Sequence, residues 1–250
     1  MYIDTHCHLS YHDYPDINKV LEENKSASVD AIIISGCDKD SIIESLDYIK
    51  KYSCVYATLG YHPSEASVVT EEDLNNLKYQ LLQNKVVGIG EIGLDYHYGK
   101  EDRDKQITLF EKQLKIAEEY NMPVVIHSRD ATMDTINTLK KFNVTGVIHC
   151  YSGSFETAKE YMKLGFSFGI GGVVTFKNSK LSEVVEKIPL ERIVLETDSP
   201  YLTPHPFRGE VNSSKYLPFI AKKIAETKNL SLEEVAAATT NNAKNIFRIS

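Results

Sequence analysis

The chain has 250 residues, of which 42% are hydrophobic, and its formal net charge is −7 at pH 7. That length and apolar share fit a globular α/β protein and exclude an extended disordered one. The acidic balance argues against a protein that wraps nucleic acid in a basic surface, so a site for phosphate would draw its positive charge from local side chains or bound metal ions.

The cysteines and the first residues bear on where the protein works. Cys7, Cys37, Cys54 and Cys150 show no C-x-x-C spacing, which favours a reduced, intracellular protein. Strand-like residues begin at Tyr2 and leave no room for an export signal. No apolar run approaches the ~20 residues that cross a bilayer. We therefore expect a cytoplasmic protein without a membrane segment, and nothing indicates an obligate protein partner.

Short runs of apolar and β-branched residues recur along the chain and predict strands. In chain order the eight runs are YIDTH (2–6), DAIIISG (30–36), CVYATLG (54–60), VVGIGE (86–91), PVVIH (123–127), GVIHC (146–150), FSFGIG (166–171) and RIVLETD (192–198). Apolar residues with helical period lie between most of them, as in 70–84, 102–121 and 154–165. Near the C-terminus, Ser231 and Glu234 form a capping-box pattern that predicts another helix.

Eight strands that alternate with helices within 250 residues predict an α/β protein with a (β/α)8 TIM barrel, as a single domain over residues 1–250. The rival architecture is a doubly wound open sheet. No G-x-G-x-x-G follows an early strand, and we prefer the barrel. A barrel carries its active site at the C-terminal ends of the strands, which is where the polar residues should then be found.

Metal-ligand residue types close five of the predicted strands. They are His6 and His8 after strand 1, Glu91 at strand 4, His127 at strand 5, His149 at strand 6 and Asp198 at strand 8. Each alone has an ordinary explanation, such as a half-buried histidine, a solvated rim carboxylate or a helix cap. Their concentration at one end of the barrel indicates a metal site.

Four histidines and two carboxylates exceed the ligand needs of one catalytic ion. They favour two divalent ions, with Glu91 on a middle strand as the natural bridge. Nitrogen and oxygen ligands without thiolate admit Mg2+, Mn2+ or Zn2+. Cys7 and Cys150 each follow a ligand by one residue, so strand alternation turns them away from the site.

At this point the motifs resemble the TatD family of metal-dependent deoxyribonucleases, a branch of the amidohydrolase-like barrels. The matching stretches run in order across nearly the whole chain: IDTHCHL, GYHPSEA, GIGEIGLDYH, PVVIHSRDA, IHCYSGS, GFSFGIGGVVTFKNS and LETDSPYLTP. Phosphotriesterase relatives share the H-x-H start but commonly bridge their metals with a modified lysine on strand 4. Glu91 stands at that position here, as in TatD proteins.

The resemblance implies roles for these residues. His6, His8, Glu91 and Asp198 would bind a first metal, and Glu91, His127 and His149 a second. It implies a phosphodiesterase that acts on DNA, and we expect a 3′ exonuclease on single strands or ends. Asp198 would accept a proton from a metal-activated water. One departure from the family pattern is RGEVNSSKY, where Glu210 to Ser214 replace a basic and proline-containing segment.

Several other residues are candidates for substrate contacts or support. His62 and Arg129 lie just beyond strands 3 and 5 and are predicted to touch a substrate phosphate. Asp4 and Glu196 would either orient the imidazoles or fill polar layers of the barrel. Tyrosines near strand ends would either stack on bases or pack against neighbouring loops. They are Tyr61, Tyr96, Tyr151 and Tyr201.

Two other functions are compatible with this pattern. The first keeps the metals but changes the bond, as in an ester or amide hydrolase such as a D-aminoacyl-tRNA deacylase, because the fold does not select the substrate. The second is a non-catalytic protein that uses the metals for stability or as a sensor, although structural sites are usually closed by four protein ligands.

Overall fold

A computed structural model describes residues 1–249, in which eight strands alternate with helices. The strands are β1 (Tyr2–Cys7), β2 (Val29–Gly36), β3 (Val55–Leu59), β4 (Val86–Asp95), β5 (Val124–Arg129), β6 (Gly146–Ile148), β7 (Ser167–Ile170) and β8 (Ile193–Leu195). The α-helices are α1 (Ile17–Ser26), α2 (Lys39–Lys51), α3 (Glu71–Gln80), α4 (Arg103–Tyr120), α5 (Thr132–Leu139), α6 (Phe155–Lys163), α7 (Leu181–Lys187), α8 (Leu217–Lys228) and α9 (Leu232–Phe247).

The strands follow the order β1 to β8 in one eight-stranded sheet. The neighbouring pairs β1/β2, β3/β4, β4/β5, β5/β6 and β7/β8 are parallel. This order, with helices between parallel strands, confirms the predicted (β/α)8 barrel class. Within residues 1–249, no helix combines the length and the apolar character that a membrane crossing needs.

Helix caps account for several element boundaries. Thr70 accepts a hydrogen bond from the backbone N–H of Asp73, whose side chain in turn binds the N–H of Thr70, so a capping box opens α3. Ser231 and Glu234 form the predicted box at the start of α9. Asn229, in the left-handed conformation, ends α8, as short polar residues often do at helix C-termini.

The contacts divide the chain into two compact units. Unit one comprises Met1–Ile34, Cys150–Lys159 and the described residues from Ser167 onward. In this unit the first and last strands are neighbours, because Thr5 Oγ1 donates to the carbonyl of Leu195 (3.0 Å) and the N–H of Asp198 donates to the carbonyl of His6 (3.0 Å). Helices α8 and α9 bury their apolar residues in the same unit, including Ile220, Ile224 and Val235.

Unit two comprises residues 35–149 and 160–166. Its strands β3 to β6 are mostly apolar and buried, as expected for parallel strands covered by helices. Gly93 of β4 lies opposite His127 of β5. With a φ of 147°, Gly93 has a backbone conformation that L side chains rarely adopt, and a Cβ there would strike the carbonyl oxygen of His127.

Strand β4 differs from its prediction. We expected it to end at Glu91, whereas it continues to Asp95. Ile92 and Leu94 are fully buried and extend the apolar alternation beyond the charged residue. Glu91 therefore lies inside the strand, and Asp95 closes it.

Candidate metal centre

Three predicted ligands of unit two converge on one point. Oε1 of Glu91 lies 2.6 Å from Nδ1 of His127 and 2.9 Å from Nε2 of His149. The two imidazole nitrogens are 3.4 Å apart, and the rings stack at 28°. Glu91 sits within β4, His127 within β5, and His149 directly after β6, so adjacent parallel strands bring them together.

Burial makes these charges interdependent. The side chain of Glu91 is only 6% exposed and that of His149 only 4%. Burial by itself raises the pKa of Glu91, but the positive charges of His149 and His127 outweigh it and hold that pKa well below the usual range. Burial lowers the pKa of His127, yet Glu91 and Asp95 more than compensate and raise it. The cluster is therefore built around a carboxylate that stays ionised.

Asp95 belongs to this cluster, although we did not single it out from the sequence. Its Oδ2 lies 3.1 Å from Nε2 of His127, on the side of the ring opposite Glu91. The N–H of His97 donates to the other oxygen of Asp95 (2.8 Å). The side-chain amide of Gln106 accepts from the N–H of Asp95 and donates to its carbonyl (both 2.9 Å). Asp95 lies four residues after Glu91, so the period-two alternation of a longer strand would have revealed it.

His62 stands beside His127, with the two ring centroids 4.6 Å apart. Nδ1 of His62 accepts a hydrogen bond from the N–H of Ser64 (3.1 Å), so the proton of the neutral ring lies on Nε2. Burial lowers the pKa of His62 to about 4, which leaves the ring neutral at pH 7. His62, Asp95 and His127 also form a group whose ligand atoms lie within 4.8 Å of one another.

Arg129 is the last residue of β5 and is exposed. Its guanidinium carbon lies 5.8 Å above the centroid of the Tyr98 ring. Burial acts to raise the pKa of Asp95, but the hydrogen bond with His127, with a smaller contribution from the charge of Arg129, lowers it overall. Arg129 therefore has a cation–π partner and a cationic head that is accessible to solvent.

Unit one brings together the other three predicted ligands. Nε2 of His6 and Nε2 of His8 each lie 3.6 Å from Oδ1 of Asp198. The two rings are nearly perpendicular, with centroids 5.1 Å apart. His6 is buried, whereas the side chains of His8 and Asp198 are 24% and 16% exposed, so this cluster is open to solvent on one side.

Asp4 supports the position of Asp198 through the backbone. It is fully buried and accepts hydrogen bonds from the N–H of Thr197 (3.0 Å), from the hydroxyl of Thr197 (2.5 Å) and from the N–H of His6 (3.3 Å). Burial raises the pKa of Asp4 to about 7. Glu196, also fully buried, accepts from the N–H of Cys150. Asp4 and Glu196 thus hold main chain next to predicted ligands.

The donor set fits divalent metal ions. Glu91, His127 and His149 each offer one ligand atom, and the three atoms lie within 4.8 Å of one another. That spacing suits an ion about 2.0–2.2 Å from each nitrogen and oxygen. In unit one, two imidazoles face a single carboxylate oxygen. Imidazole and carboxylate without thiolate suit Zn2+ and Mn2+, and the carboxylates also suit Mg2+. Neither Cys7, which is buried, nor Cys150, which is partly buried, forms a disulfide.

Comparisons with known proteins identify the family of the chain. The family model for TatD-related DNases matches residues 3–248. YabD of Bacillus subtilis, an uncharacterized metal-dependent hydrolase, is 45% identical, with both chains covered completely. YcfH of Escherichia coli, named in the same way, is 34% identical over 99% of this chain and 96% of its own.

Solved structures show the same likeness. The crystal structure of YjjV, a TatD homologue from Escherichia coli, has a TM-score of 0.93 and 31% identity over 100% of this chain and 98% of its own. Organophosphorus hydrolase from Deinococcus radiodurans, with a TM-score of 0.67 and 10% identity, shares the fold alone. The match along residues 3–248 and the identity to full-length relatives place this chain in the TatD-related DNase family.

Proposed function

We propose that the protein is a metal-dependent hydrolase that cleaves phosphodiester bonds of DNA, acting as a 3′ exonuclease on single strands or ends. His6, His8 and Asp198 would hold one divalent ion, and Glu91, His127 and His149 a second. As the family resemblance implies, Glu91 is proposed to be shared by both ions. Mg2+, Mn2+ and Zn2+ are the candidate ions.

The observation that carries the proposal is the convergence of Glu91, His127 and His149. A buried carboxylate oxygen within 2.9 Å of two imidazole nitrogens is a costly arrangement for folding alone, because each buried charge loses its hydration. A divalent cation bound by all three residues would offset that cost. The curated relatives named above are metal-dependent hydrolases, which supports a catalytic role for these ions.

Divalent ions, when bound, lower the pKa of water and neutralise charge that develops on phosphate oxygens. Asp198 would take the proton released from the attacking water. Its Oδ1 faces His6 and His8, while Asp4 and the backbone bonds at Thr197 and His6 fix its main chain. A base that is oriented through its backbone keeps its geometry while its side chain gains and loses a proton.

His62 and Arg129 are the proposed phosphate contacts. A neutral His62 with its proton on Nε2 can donate one hydrogen bond to a non-bridging oxygen without adding charge. Arg129 has an accessible cationic head, which counters the repulsion between DNA and a chain of net charge −7.

The test uses metal-stripped full-length protein, single-stranded DNA labelled at either the 5′ or the 3′ end, and Mg2+, Mn2+ or Zn2+ added back separately. We expect a ladder that shortens from the 3′ end and disappears with EDTA. Asp198→Asn should lower kcat by about 10²–10⁴-fold while KM changes much less. Asn178→Ala, a substitution at an exposed residue that is purified in the same way, serves as the control and should cleave like wild type.

Other results would replace parts of the proposal. Shortening from the 5′ end would reverse the polarity. Absence of DNA cleavage with each ion, combined with hydrolysis of a D-aminoacyl-tRNA, would favour the deacylase function instead. Equal cleavage by wild type and Asp198→Asn would indicate a contaminating nuclease.

A further inference from the structure

Of the four tyrosines predicted near strand ends, three are closed to a ligand. Tyr61, Tyr96 and Tyr151 are only 4%, 6% and 5% exposed, so they pack against neighbouring segments, whereas Tyr201 is 61% exposed. Burial thus decides between the two roles that the sequence left open for these residues. Tyr201 alone among the four has a ring that an incoming aromatic group can cover.

The main chain of Tyr201 is tightly held. The side-chain amide of Asn212 donates to the carbonyls of Thr197 (2.8 Å) and Tyr201 (2.5 Å), and Asn212 is fully buried. The N–H of Tyr201 donates to the carbonyl of Asp198 (2.9 Å). An exposed ring on a fixed backbone loses little conformational entropy when it binds a ligand.

Tyr201 also has a fixed position beside a predicted metal ligand. The ring centroids of Tyr201 and His8 are 6.3 Å apart, at an interplanar angle of 66°. The N–H of His8 donates to the carbonyl of Ser199 (2.7 Å), which ties β1 to the segment that carries Tyr201. A phosphate group near His8 and Asp198 would therefore bring its own nucleoside within reach of the Tyr201 ring.

We propose that Tyr201 is a stacking platform for the base of the substrate nucleotide next to the reacting phosphate. This inference rests on the proposed function and specifies its substrate, since a ring that recognises a π face selects nucleotides over simple phosphate esters. Stacking tolerates any base, so the platform gives affinity for single-stranded ends without sequence preference. A paired and stacked base inside a duplex cannot use it.

A binding measurement separates this platform from catalysis. The probes are a single-stranded oligonucleotide with 2-aminopurine at its 3′ end and the same oligonucleotide with an abasic 3′ residue. Both carry a 5′ fluorescein whose anisotropy measures binding, and each is titrated with full-length protein in EDTA and again with Ca2+. We expect the 2-aminopurine fluorescence to be quenched on binding. Tyr201→Leu should weaken binding of the base-bearing probe by roughly 5- to 100-fold. The Tyr201→Leu variant should bind the abasic probe as weakly as wild type does.

Two variants control for folding and for loss of aromatic surface in general. Tyr201→Phe keeps the ring and should retain the quenching. Tyr79→Leu removes another tyrosine, 73% exposed on α3, and should leave both probes unaffected. A Tyr201→Leu protein that melts like wild type excludes misfolding as the cause of weaker binding.

The outcomes for the platform and for the proposed function are distinguishable. If wild type and Tyr201→Leu discriminate equally between the two probes, or if wild type produces no quenching, the platform is overturned even when DNA is cleaved. If quenching depends on Tyr201 but no ion supports DNA cleavage, the platform stands and the nuclease function does not.

Discussion

Nε2 of His127 lies 3.1 Å from Oδ2 of Asp95, and Nδ1 of the same ring lies 2.6 Å from Oε1 of Glu91. Because an ionised carboxylate only accepts hydrogen bonds, each of these contacts places a proton on the ring nitrogen that it meets. A metal would replace the proton on Nδ1, which faces Glu91 and His149, while Asp95 would keep the proton on Nε2. A carboxylate that orients a ligating histidine in this way also makes the ring a stronger donor.

We expect Asp95→Ala to lower the affinity for the ion proposed to bind Glu91, His127 and His149 by about 10- to 100-fold, because the ring of His127 loses its orientation. Asp95→Asn keeps an acceptor oxygen without the charge and should fall between wild type and Asp95→Ala. Competition for Zn2+ between the metal-stripped protein and a chromophoric chelator measures the affinity directly.

Asp130→Ala is the matched control. Asp130 also lies near a histidine ring, 3.4 Å from Nδ1 of His97, but both side chains are largely exposed. Unchanged Zn2+ affinity in Asp95→Ala would mean that packing alone orients His127.

A second expectation concerns the segment that follows Asp95. Arg103 donates two hydrogen bonds to Asp134 (2.7 and 3.0 Å), and the hydroxyl of Tyr96 donates a third (2.8 Å). The Arg103 guanidinium, with help from Tyr96, holds the pKa of Asp134 below its usual value, against the effect of burial. The folded-state pKa thus lies below the unfolded value of about 3.9, so this stabilisation is present above that pH and is lost as the pH falls through the folded pKa.

We therefore expect Asp134→Asn to lower the Tm by several degrees at pH 7, and we expect the difference from wild type to shrink below a pH of about 4. Thermal melts between pH 3 and 7 measure this. Asp104→Asn provides the comparison, since Asp104 contacts the same arginine (3.0 Å) but is 94% exposed and should matter little at any pH. A difference for Asp134→Asn that stays constant with pH would contradict the assignment.

Sequence patterns predicted the strands and their order because apolar, β-branched runs recur at short intervals between helical segments. Both capping boxes, at Thr70 and at Ser231, follow from short local spacing and are present. The predicted end of β4 was wrong. The charged residue Glu91 was expected to end the strand, whereas the strand continues and Glu91 is buried within it, at 4% exposure. A carboxylate stabilised by two histidines from other strands behaves as a core residue, and one strand alone does not reveal that.

The remaining site features depend on contacts between segments far apart in the chain. Asp95 was missed because it lies in the last residues of β4, beyond the predicted end of the strand. The neutral state of His62 follows from a hydrogen bond with the backbone N–H of Ser64 and from burial. The roles of Asp4 and Glu196 stayed open because the alternation of side chains along a strand shows which face a side chain lies on but not which group it contacts. Tyr61 is buried and Tyr201 is exposed, a difference that the sequence pattern does not show.

A third expectation concerns Asn212, whose fully buried side chain binds three backbone groups. It donates to the carbonyls of Thr197 and Tyr201 and accepts from the N–H of Ser213 (2.9 Å). Asn212→Ala should lower the free energy of unfolding by on the order of 3 kcal/mol, because buried polar groups are left without partners. Urea unfolding of the metal-stripped protein measures the change. Asn178→Ala, at an exposed site, should lie within about 0.5 kcal/mol of wild type.

The same substitution should also weaken ion binding at the site proposed for unit one, since Thr197 and Tyr201 flank Asp198. A Mn2+ titration followed by electron paramagnetic resonance would show the loss as a larger fraction of free ion. If Asn212→Ala unfolds like wild type, the segment after β8 must be held by its other contacts, such as the hydrogen bond from His8 to Ser199.

The last expectation concerns Gly93, which lies opposite His127 in the β4/β5 pair. An alanine there would place its Cβ against the His127 carbonyl while adopting a φ of 147°. Gly93→Ala should therefore destabilise the protein by more than about 2 kcal/mol and displace β5, so that the Glu91, His127 and His149 cluster binds Zn2+ more weakly.

Gly209→Ala separates backbone strain from collision. Gly209 also has a positive φ, 96°, but a Cβ there meets nothing within 4 Å. It should cost about 1 kcal/mol of stability through backbone conformation alone and leave Zn2+ affinity unchanged. Urea unfolding and chelator competition on both variants measure the two effects. If Gly93→Ala loses no more stability than Gly209→Ala and keeps wild-type Zn2+ affinity, the close approach of β4 to the His127 carbonyl does not position the metal ligands.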